Sequence, residues 1–404
     1  MSTRAPSRFE FVALMAMLVS TVAFSIDAML PALPRIAAEL SPDAPNRAQL
    51  ILTAFFVGLG LGTFLMGPLS DRFGRKPVIL WGLALYIAGA GLAWAAPTLE
   101  LLLLARLVQG FGAAAPRVVS LAIIRDLHSG RAMARLVSFV MLIFTLVPAV
   151  APLFGTLIMQ AGGGWRTIFA GFLVFATISG VWLMLRLAET LPASARRPLR
   201  PRPMLDTVAE MFRHPTVRLS IAVQTLCYAM LFMSIAAIQP VFDQAFGRGE
   251  SFPYWFAGIA LVAGSASLLN ATLVMRLGMR RLVTFALSVQ CGVTLAVLLY
   301  YLGAGSSAAG FLVFVGWQAT VFFMVGMTLG NLNAIAMEPM GHVAGMAASV
   351  IGSVSSVLAA AIAVPIGLAF DGTPVPLAAG VLAVTAAGYG LMLHMGRVER
   401  GLPA

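Results

Sequence analysis

The chain has 404 residues, of which 60% are hydrophobic and only 10% charged, whereas soluble domains carry roughly a quarter charged residues. This composition excludes a soluble globular protein, because no soluble core could bury so much apolar sequence. The formal net charge of +11 does not indicate nucleic-acid binding, since the basic residues lie in short loops between apolar runs, where they orient a chain in a membrane.

In chain order, apolar runs long enough to cross a bilayer, which takes about 20 residues, recur almost from end to end. The first run follows Arg4 and Arg8 and imitates a signal peptide, but it is too long for one and lacks a convincing cleavage site, so we interpret it as an uncleaved helix. The runs predict twelve transmembrane helices, near residues 9–31, 48–68, 78–97, 101–124, 136–160, 166–187, 217–243, 254–275, 282–303, 308–337, 344–369 and 375–396.

Basic residues are distributed unequally between alternate loops. If the N-terminus lies inside, most arginines fall on the inner side, and the outer side holds only Arg35, Arg47, Arg166 and Arg248. This asymmetry predicts an even number of helices with both termini in the cytoplasm. The expected location is the inner (plasma) membrane of a bacterium.

One long polar segment divides the chain. Residues 189–215 are rich in proline and arginine and too poor in apolar residues to pack as a domain, so they are predicted to link an N-terminal bundle (1–188) to a C-terminal bundle (216–404). The loops after the second and eighth helices, 72–76 and 276–281, are both basic and contain a glycine. Their offset is close to half the chain, which predicts two six-helix halves related by a parallel repeat.

The most specific motif is the loop between helices 2 and 3, residues 67–77. Glycine permits a tight reversal there, and an aspartate beside arginines can form charge-assisted contacts with helix ends. The string resembles the signature loop of the major facilitator superfamily at Gly67, Asp71, Arg72, Gly74 and Arg75. The resemblance implies an all-α membrane protein of that fold, in which Asp71 and Arg75 latch one conformation. We expect Asp126, at the end of helix 4, to pair with Arg75.

Helix 1 contains one deeply placed acid, Asp27, and helix 4 contains two cations, Arg106 and Arg117. Ionisable groups in hydrocarbon are costly, so such residues are functional candidates by default. Asp27 could instead end a helix near the outer surface, and Arg106 could extend to the outer interface. For Arg117, a structural pair or an extension towards the inner surface is an equal alternative. By helical rise, Asp27 and Arg106 reach similar depth, and Arg117 lies about 16 Å from Arg106.

Helix 5 carries Pro148, Pro152 and Gly155, which permit bending and close helix contact. Together with Asp27, the string ARLVQG at 105–110, Gly164-Trp165-Arg166 and the string at 338–345, these residues resemble drug/proton antiporters of the bicyclomycin- and chloramphenicol-resistance type. The resemblance implies that Asp27 handles the proton, that Arg106 assists it, and that the helix 5 motif favours exchange over leak. Arg117 adds positive charge to helix 4, so the sequence does not restrict the substrates to cations, and neutral or anionic substrates are alternatives.

Several polar groups in apolar spans are candidate substrate contacts, although hydrogen bonding between helices is an alternative for each of them. The candidates are Gln109 and Arg117 on helix 4, Tyr228 and Gln239 on helix 7, and Asn331 on helix 10. No cofactor is expected, and no metal site, because Cys227 and Cys291 have no second cysteine or histidine at ligand spacing.

The leading hypothesis is a proton-coupled antiporter that exports small amphiphilic drugs by alternating access, acting as a monomer in the lipid bilayer without nucleic acid. The alternative is a transporter that exports or imports one specific small metabolite, possibly an anion. A membrane enzyme or receptor is a third class, which no motif in the sequence supports.

Overall fold

The structure is a computed structural model that describes residues 6–196, 198, 199, 201–304 and 308–400. Within these residues the chain is helical, with connecting turns and no β-strand. An apolar chain in hydrocarbon must satisfy its backbone polar groups internally, and helices do so within a single segment. The predicted all-α fold class is confirmed.

The chain forms two compact units. Unit 1 comprises the residues up to Asp43 and Ala54–Pro201, and unit 2 comprises Ala44–Thr53 and the residues from Arg202 on. The short segment Ala44–Thr53 groups with unit 2 because Asn46 donates hydrogen bonds to the carbonyls of Leu368 and Phe370, at 3.1 and 2.6 Å. The predicted boundaries at residues 188 and 216 remain a prediction.

Seven helices begin before the end of unit 1: α1 Arg8–Asp27, α2 Leu33–Leu40, α3 Leu50–Phe73, α4 Arg75–Trp94, α5 Leu99–Leu127, α6 Gly130–Ile158 and α7 Arg166–Arg186. Seven more follow: α8 Pro201–Arg213, α9 Pro215–Pro240, α10 Phe252–Leu277, α11 Met279–Ala304, α12 Ala308–Met337, α13 Ala344–Leu368 and α14 Val375–Arg400.

Eleven continuous helical stretches among the described residues are long and apolar enough to cross a membrane. The longest, Ala309–Leu368, contains two helices, α12 and α13, separated by the short turn Glu338–Val343. Counted separately, they bring the number to twelve, in agreement with the sequence. The protein is a multi-pass membrane protein, and the short helices α2 and α8 are additional.

Two details differ from the predicted boundaries. Helix α1 ends at Asp27 rather than near residue 31, and a turn at Leu30–Ala32 leads into α2. Prolines at 31 and 34 lack an amide proton and so restart the chain in new helical turns rather than extend α1. The predicted linker, 189–215, is also partly ordered, because it contains α8.

Small residues set the helix packing in unit 1. A Cβ atom on Gly110 of α5 would collide with the carbonyl of Phe55 in α3, and one on Gly112 would lie 2.5 Å from the amide nitrogen of Tyr86 in α4. Backbones therefore approach closely on two sides of α5, as is common where membrane helices pack without a hydrophobic driving force. Neighbouring helices therefore occupy the space beside Gly110 and Gly112.

Candidate functional site

Asp27 is the last residue of α1, and only 4% of its surface is exposed. It forms no ion pair with any residue in the described part of the chain. A buried carboxylate without an ion-pair partner is costly in its charged form, so the free energy of this site depends strongly on whether Asp27 carries a proton.

Arg106, on α5, holds the end of the helix that carries Asp27. Its side chain is fully buried, and Nη2 donates a hydrogen bond to the carbonyl of Ser25 at 3.1 Å. Because α1 ends at Asp27, the carbonyl of Ser25 is among the last of that helix, where a cation interacts favourably with the helix dipole. Arg106 thus caps α1 two residues before Asp27.

The guanidinium of Arg106 has two further neighbours. Nη1 donates to Oε1 of Gln109 at 2.6 Å, and the group lies 4.3 Å from the ring centroid of Phe55. However, Nε of Arg106 and Nε2 of Gln109 are buried and have no acceptor among the described residues. The cluster therefore contains one cation with no ion-pair partner and two donors with no acceptor.

A hydroxyl pair also holds the same α1 turn. The hydroxyls of Ser25 and Tyr86 lie 2.5 Å apart, and the Ser25 hydroxyl also donates to the carbonyl of Thr21 at 2.5 Å. Tyr86 is fully buried on α4. Helices α4 and α5 therefore both fix the end of α1. Ser25 and Tyr86 were not among the residues predicted from the sequence. The signal for Ser25 was its position two residues before Asp27, and the signal for Tyr86 was a tyrosine in an apolar helix, four residues after Gly82.

The motif predicted in helix 5 lies on α6, and its Gly155 contacts the end of α1. Pro148 and Pro152 lie inside α6, and the helix continues through both prolines. A Cβ atom on Gly155 would collide with the carbonyl of Ala28, the residue after Asp27. Gly155 thus permits α6 to touch the Asp27 turn directly, which gives the motif a physical link to the acid.

The signature loop forms an ionic cluster around Arg75, of which only 8% is exposed. Its Nη1 donates to Asp71 Oδ1 at 2.5 Å and to the Ser70 hydroxyl at 2.7 Å, and its Nε donates to Asp126 Oδ2 at 2.8 Å. The contact between Arg75 and Asp126 that the sequence suggested is present. The latching role of the cluster remains a prediction.

The other residues of the loop have separate environments. Gly74 has a φ of 106°, which side chains other than glycine rarely adopt, and it begins the reversal into α4. Arg72 is exposed and lies over the ring of Phe73 at 5.0 Å. Gly67 lies within α3, and its carbonyl accepts a hydrogen bond from the Ser70 hydroxyl at 2.8 Å.

Glu189 completes this cluster, and the sequence analysis missed it. Its two carboxylate oxygens accept from the backbone amides of Arg75 and Lys76, at 2.9 and 3.1 Å. Helix α4 therefore receives its N-terminal cap from a residue far along the chain, just after α7. Lys76 returns the contact by donating to the carbonyls of Met184 and Leu187, at 2.8 and 2.7 Å, at the end of α7.

Unit 2 repeats this arrangement. Gly278, with a φ of 79°, precedes α11, and Arg280 in its first turn pairs with Glu338 at 3.1 Å and with Glu399 at 2.7 Å. Glu338 directly follows α12 and Glu399 lies in the last turn of α14, as Asp126 lies at the end of α5 and Glu189 follows α7. The repeat predicted from the two basic loops is therefore expressed in side-chain contacts.

Each predicted substrate contact has its own local environment in the structure. Arg117 is half-buried and forms no ion pair with the residues described, and Tyr228 is half-buried with its ring 5.6 Å from that of Phe232. Gln239 is 3% exposed, and its Oε1 has no donor among the described residues. Asn331 joins two helices, since it donates to Asn270 Oδ1 at 2.7 Å and to the carbonyl of Met327 at 2.8 Å. Substrate contact by any of them remains a prediction.

Comparison with known proteins places this arrangement in a family. Residues 13–364 match the sequence profile of the Major Facilitator Superfamily. The chain is 27% identical to the uncharacterized MFS-type transporter YdgK of Bacillus subtilis (strain 168), over 94% of the chain and 93% of that protein. It is 30% identical to the bicyclomycin resistance protein homolog of Haemophilus influenzae, over 86% of each.

Among solved structures, the partially occluded, inward-open xylose transporter XylE of E. coli is similar in fold. The TM-score is 0.73 at 12% identity, with 96% of this chain and 97% of XylE covered. The sequence match to a drug-resistance relative confirms the resemblance inferred from the motifs, and the family consists of transporters rather than enzymes. With a matching family profile over residues 13–364, twelve membrane-crossing helices among its described residues and the signature loop after α3, the chain belongs to the major facilitator superfamily.

Proposed function

We propose that this transporter is a proton-coupled antiporter that exports small amphiphilic compounds across the inner membrane of a bacterium. It works as a monomer with both termini in the cytoplasm, by alternating access of a central site. The observation that carries the proposal is Asp27: a carboxylate, 4% exposed, at the end of a membrane helix and without an ion-pair partner among the described residues.

Asp27 exchanges a proton for substrate in this mechanism. When the carboxylate is charged, it attracts the polar end of a substrate, and when it is protonated, that attraction is lost. Proton and substrate therefore weaken each other's binding, and by linkage the effect is equal in both directions. A proton that arrives from outside releases the substrate there, and loss of the proton inside restores affinity.

Arg106 acts as a positioning residue for this acid. Its hydrogen bond to the Ser25 carbonyl fixes the turn in which Asp27 lies, and its fully buried guanidinium keeps positive charge close to the end of α1. Gly155 allows α6 to touch the same turn. We assign Pro148, Pro152 and Gly155 the role of transmitting the state of Asp27 into α6, so that exchange is favoured over leak.

The Arg75 cluster serves as the conformational latch. Its ion pairs join the loop after α3 to the end of α5, so separating these elements requires breaking contacts from Arg75 to Asp71 and Asp126. In this proposal, polar contacts to the substrate come from Gln109, Arg117, Tyr228, Gln239 and Asn331. The surrounding apolar side chains supply the rest of the binding energy.

The test is transport into proteoliposomes under an imposed pH gradient, with radiolabelled chloramphenicol as the first probe. Asp27→Asn retains the shape of the side chain but cannot carry a proton, so the wild-type acceleration by the gradient should vanish. Asp43→Asn is the control, because Asp43 is an exposed acid. Normal gradient-driven transport by Asp27→Asn would refute the proton-coupling role.

A second candidate is transport of a specific anionic metabolite. It is favoured by Arg106 and Arg117, two cations on α5 that have no ion-pair partner in the part of the chain that the structure describes. An anion would supply the missing negative charge. Drug-susceptibility profiles of a deletion strain, compared with metabolite analysis of its medium, separate the two: altered drug susceptibility supports drug export, and a single depleted or accumulated acid supports this alternative.

A further inference from the structure

Helix α8 has an apolar face that no described part of its own unit covers. Its residues Leu205, Ala209 and Phe212 are exposed, with 64% of the Leu205 surface and 37% of the Phe212 surface accessible. They are spaced by four and three positions, so they lie on one side of the helix. The other side is anchored: Met211 is fully buried, and Glu210 lies 3.2 Å from His342.

The two ends of this face are basic. Arg202 and Arg213 are exposed at the two ends of α8, and Arg196 is exposed before it. Arg197 and Arg200, in the sequence between them, add two further positive charges and lie outside the described residues. An apolar strip bordered by arginines is typical of helices that lie in the interface of a membrane, with the strip among acyl chains and the arginines at phosphate level.

The position of α8 along the chain specifies what covers the strip. Only His214 separates Arg213 from Pro215, the first residue of α9, and α9 is a membrane-crossing helix of 26 residues. A helix of that length spans about 39 Å, more than the roughly 30 Å hydrocarbon core, so its first turn reaches the headgroup layer. The end of α8 is therefore held at the membrane surface.

We propose that α8 binds the surface of the bilayer in which the protein lies, with its arginines on anionic phospholipid headgroups and Leu205, Ala209 and Phe212 inserted at the acyl boundary. The partner is lipid rather than a protein, and the proposal is independent of the transport chemistry at Asp27. It makes the segment between α7 and α9 a lipid-sensing element rather than a passive linker.

The test measures the accessibility of one residue in nanodiscs of defined lipid. In a Cys227→Ser/Cys291→Ser background, Leu205→Cys places a single thiol on the strip, and its rate of reaction with a charged maleimide is measured. Discs of phosphatidylcholine are compared with discs that contain an equimolar amount of phosphatidylglycerol. The matched control is Ala195→Cys, at an exposed position in the turn before α8.

The thiol at position 205 should react more slowly in the anionic discs, by about fivefold for each arginine that engages a headgroup, while the control thiol keeps one rate. Adding Arg202→Gln and Arg213→Gln should abolish most of that difference. Equal rates for Leu205→Cys in the two kinds of disc would overturn the proposal. So would protection that appears in detergent and grows with protein concentration, since a second copy of the chain would then be the partner.

Discussion

Each unit uses a glycine of positive φ, an arginine in the first turn of the next helix and acids from two later helix ends to tie its helices together. In unit 1 the arginine is Arg75, and its side chain is 10% exposed; in unit 2 it is Arg280, and its side chain is 39% exposed. The same arrangement is thus built twice, once nearly buried and once at the surface.

The cores of the units differ more deeply. The charged residues that are buried in the described chain, Asp27, Arg75 and Arg106, all belong to unit 1. The buried polar groups of unit 2 are hydroxyls and amides, among them Gln224, Gln239 and Gln318. The arginine cluster that occurs in both units therefore serves helix packing. The buried charges of Asp27 and Arg106 have no counterpart among the buried residues described in unit 2, so they are the candidates for coupling chemistry. Four predictions test this comparison.

The largest effect is expected from removing the charge in the unit 1 core. Arg106→Met deletes the cap on α1, so Asp27 loses its fixed position, and misplacement of a reacting group by about 1 Å can cost on the order of 10²-fold in rate. Gradient-driven transport in proteoliposomes should fall by that order. Arg35→Gln, which changes an exposed arginine, should leave the rate unchanged. Near-normal transport by Arg106→Met would move coupling away from the α1 end.

The two ionic clusters should differ in strength. Arg75→Ala leaves Asp126, 20% exposed, without its partner, and we expect a loss of about 2–3 kcal/mol in the free energy of unfolding, somewhat less than for a fully buried pair. Arg280→Ala breaks pairs that are more open to solvent, so about 1 kcal/mol or less is expected. Unfolding of both variants in detergent measures the difference, and equal losses would show that burial does not distinguish the clusters.

The glycines that precede these arginines provide a matched pair of substitutions. Both have φ and ψ values that strain other residues, which costs about 1–3 kcal/mol in each unit. In Gly74→Ala, the new Cβ atom would also lie 2.6 Å from Oε2 of Glu189 and disturb the cap on α4, whereas a Cβ atom on Gly278 would meet nothing within 4 Å in the described part of the chain beyond its own neighbours in sequence. Gly74→Ala should therefore lower stability by about 1 kcal/mol more than Gly278→Ala, the typical value of a cap. Reversal of that order in detergent unfolding would exclude a stabilising role for the Glu189 contact.

Sequence reasoning succeeded where the signal was local. Apolar run length predicted the helices, because hydrocarbon thickness constrains the sequence directly, and the resemblance of the signature loop to a known family pointed to Arg75. It failed where a contact joins distant positions. Glu189 caps α4 across more than a hundred residues, and nothing near it in the chain marks that role. Helix α8 is anchored by the buried Met211 and by a contact from Glu210 to His342, and the sequence of residues 189–215 shows neither the burial of Met211 nor the distant partner His342.

The last pair of variants should change stability in opposite directions in the two cores. In unit 1, Oε1 of Gln109 accepts from Arg106 at 2.6 Å, so Gln109→Met removes a hydrogen bond to a charged group, worth about 1.5–3 kcal/mol. In unit 2, both polar atoms of Gln318 are buried without a partner among the described residues, so Gln318→Met removes a desolvation cost instead. We expect that variant to be neutral or to gain about 1 kcal/mol.

Thermal unfolding in detergent measures both variants against the wild type. If Gln318→Met loses as much stability as Gln109→Met, then Gln318 has a hydrogen-bond partner, such as an ordered water molecule or a bound solute. Its polar atoms would then stabilise the core of unit 2. Stability changes of opposite sign would instead mean that polar groups in unit 1 are retained because they hold a charged side chain in place. Those in unit 2 would then be retained at a cost to stability, as expected of groups that wait for a substrate.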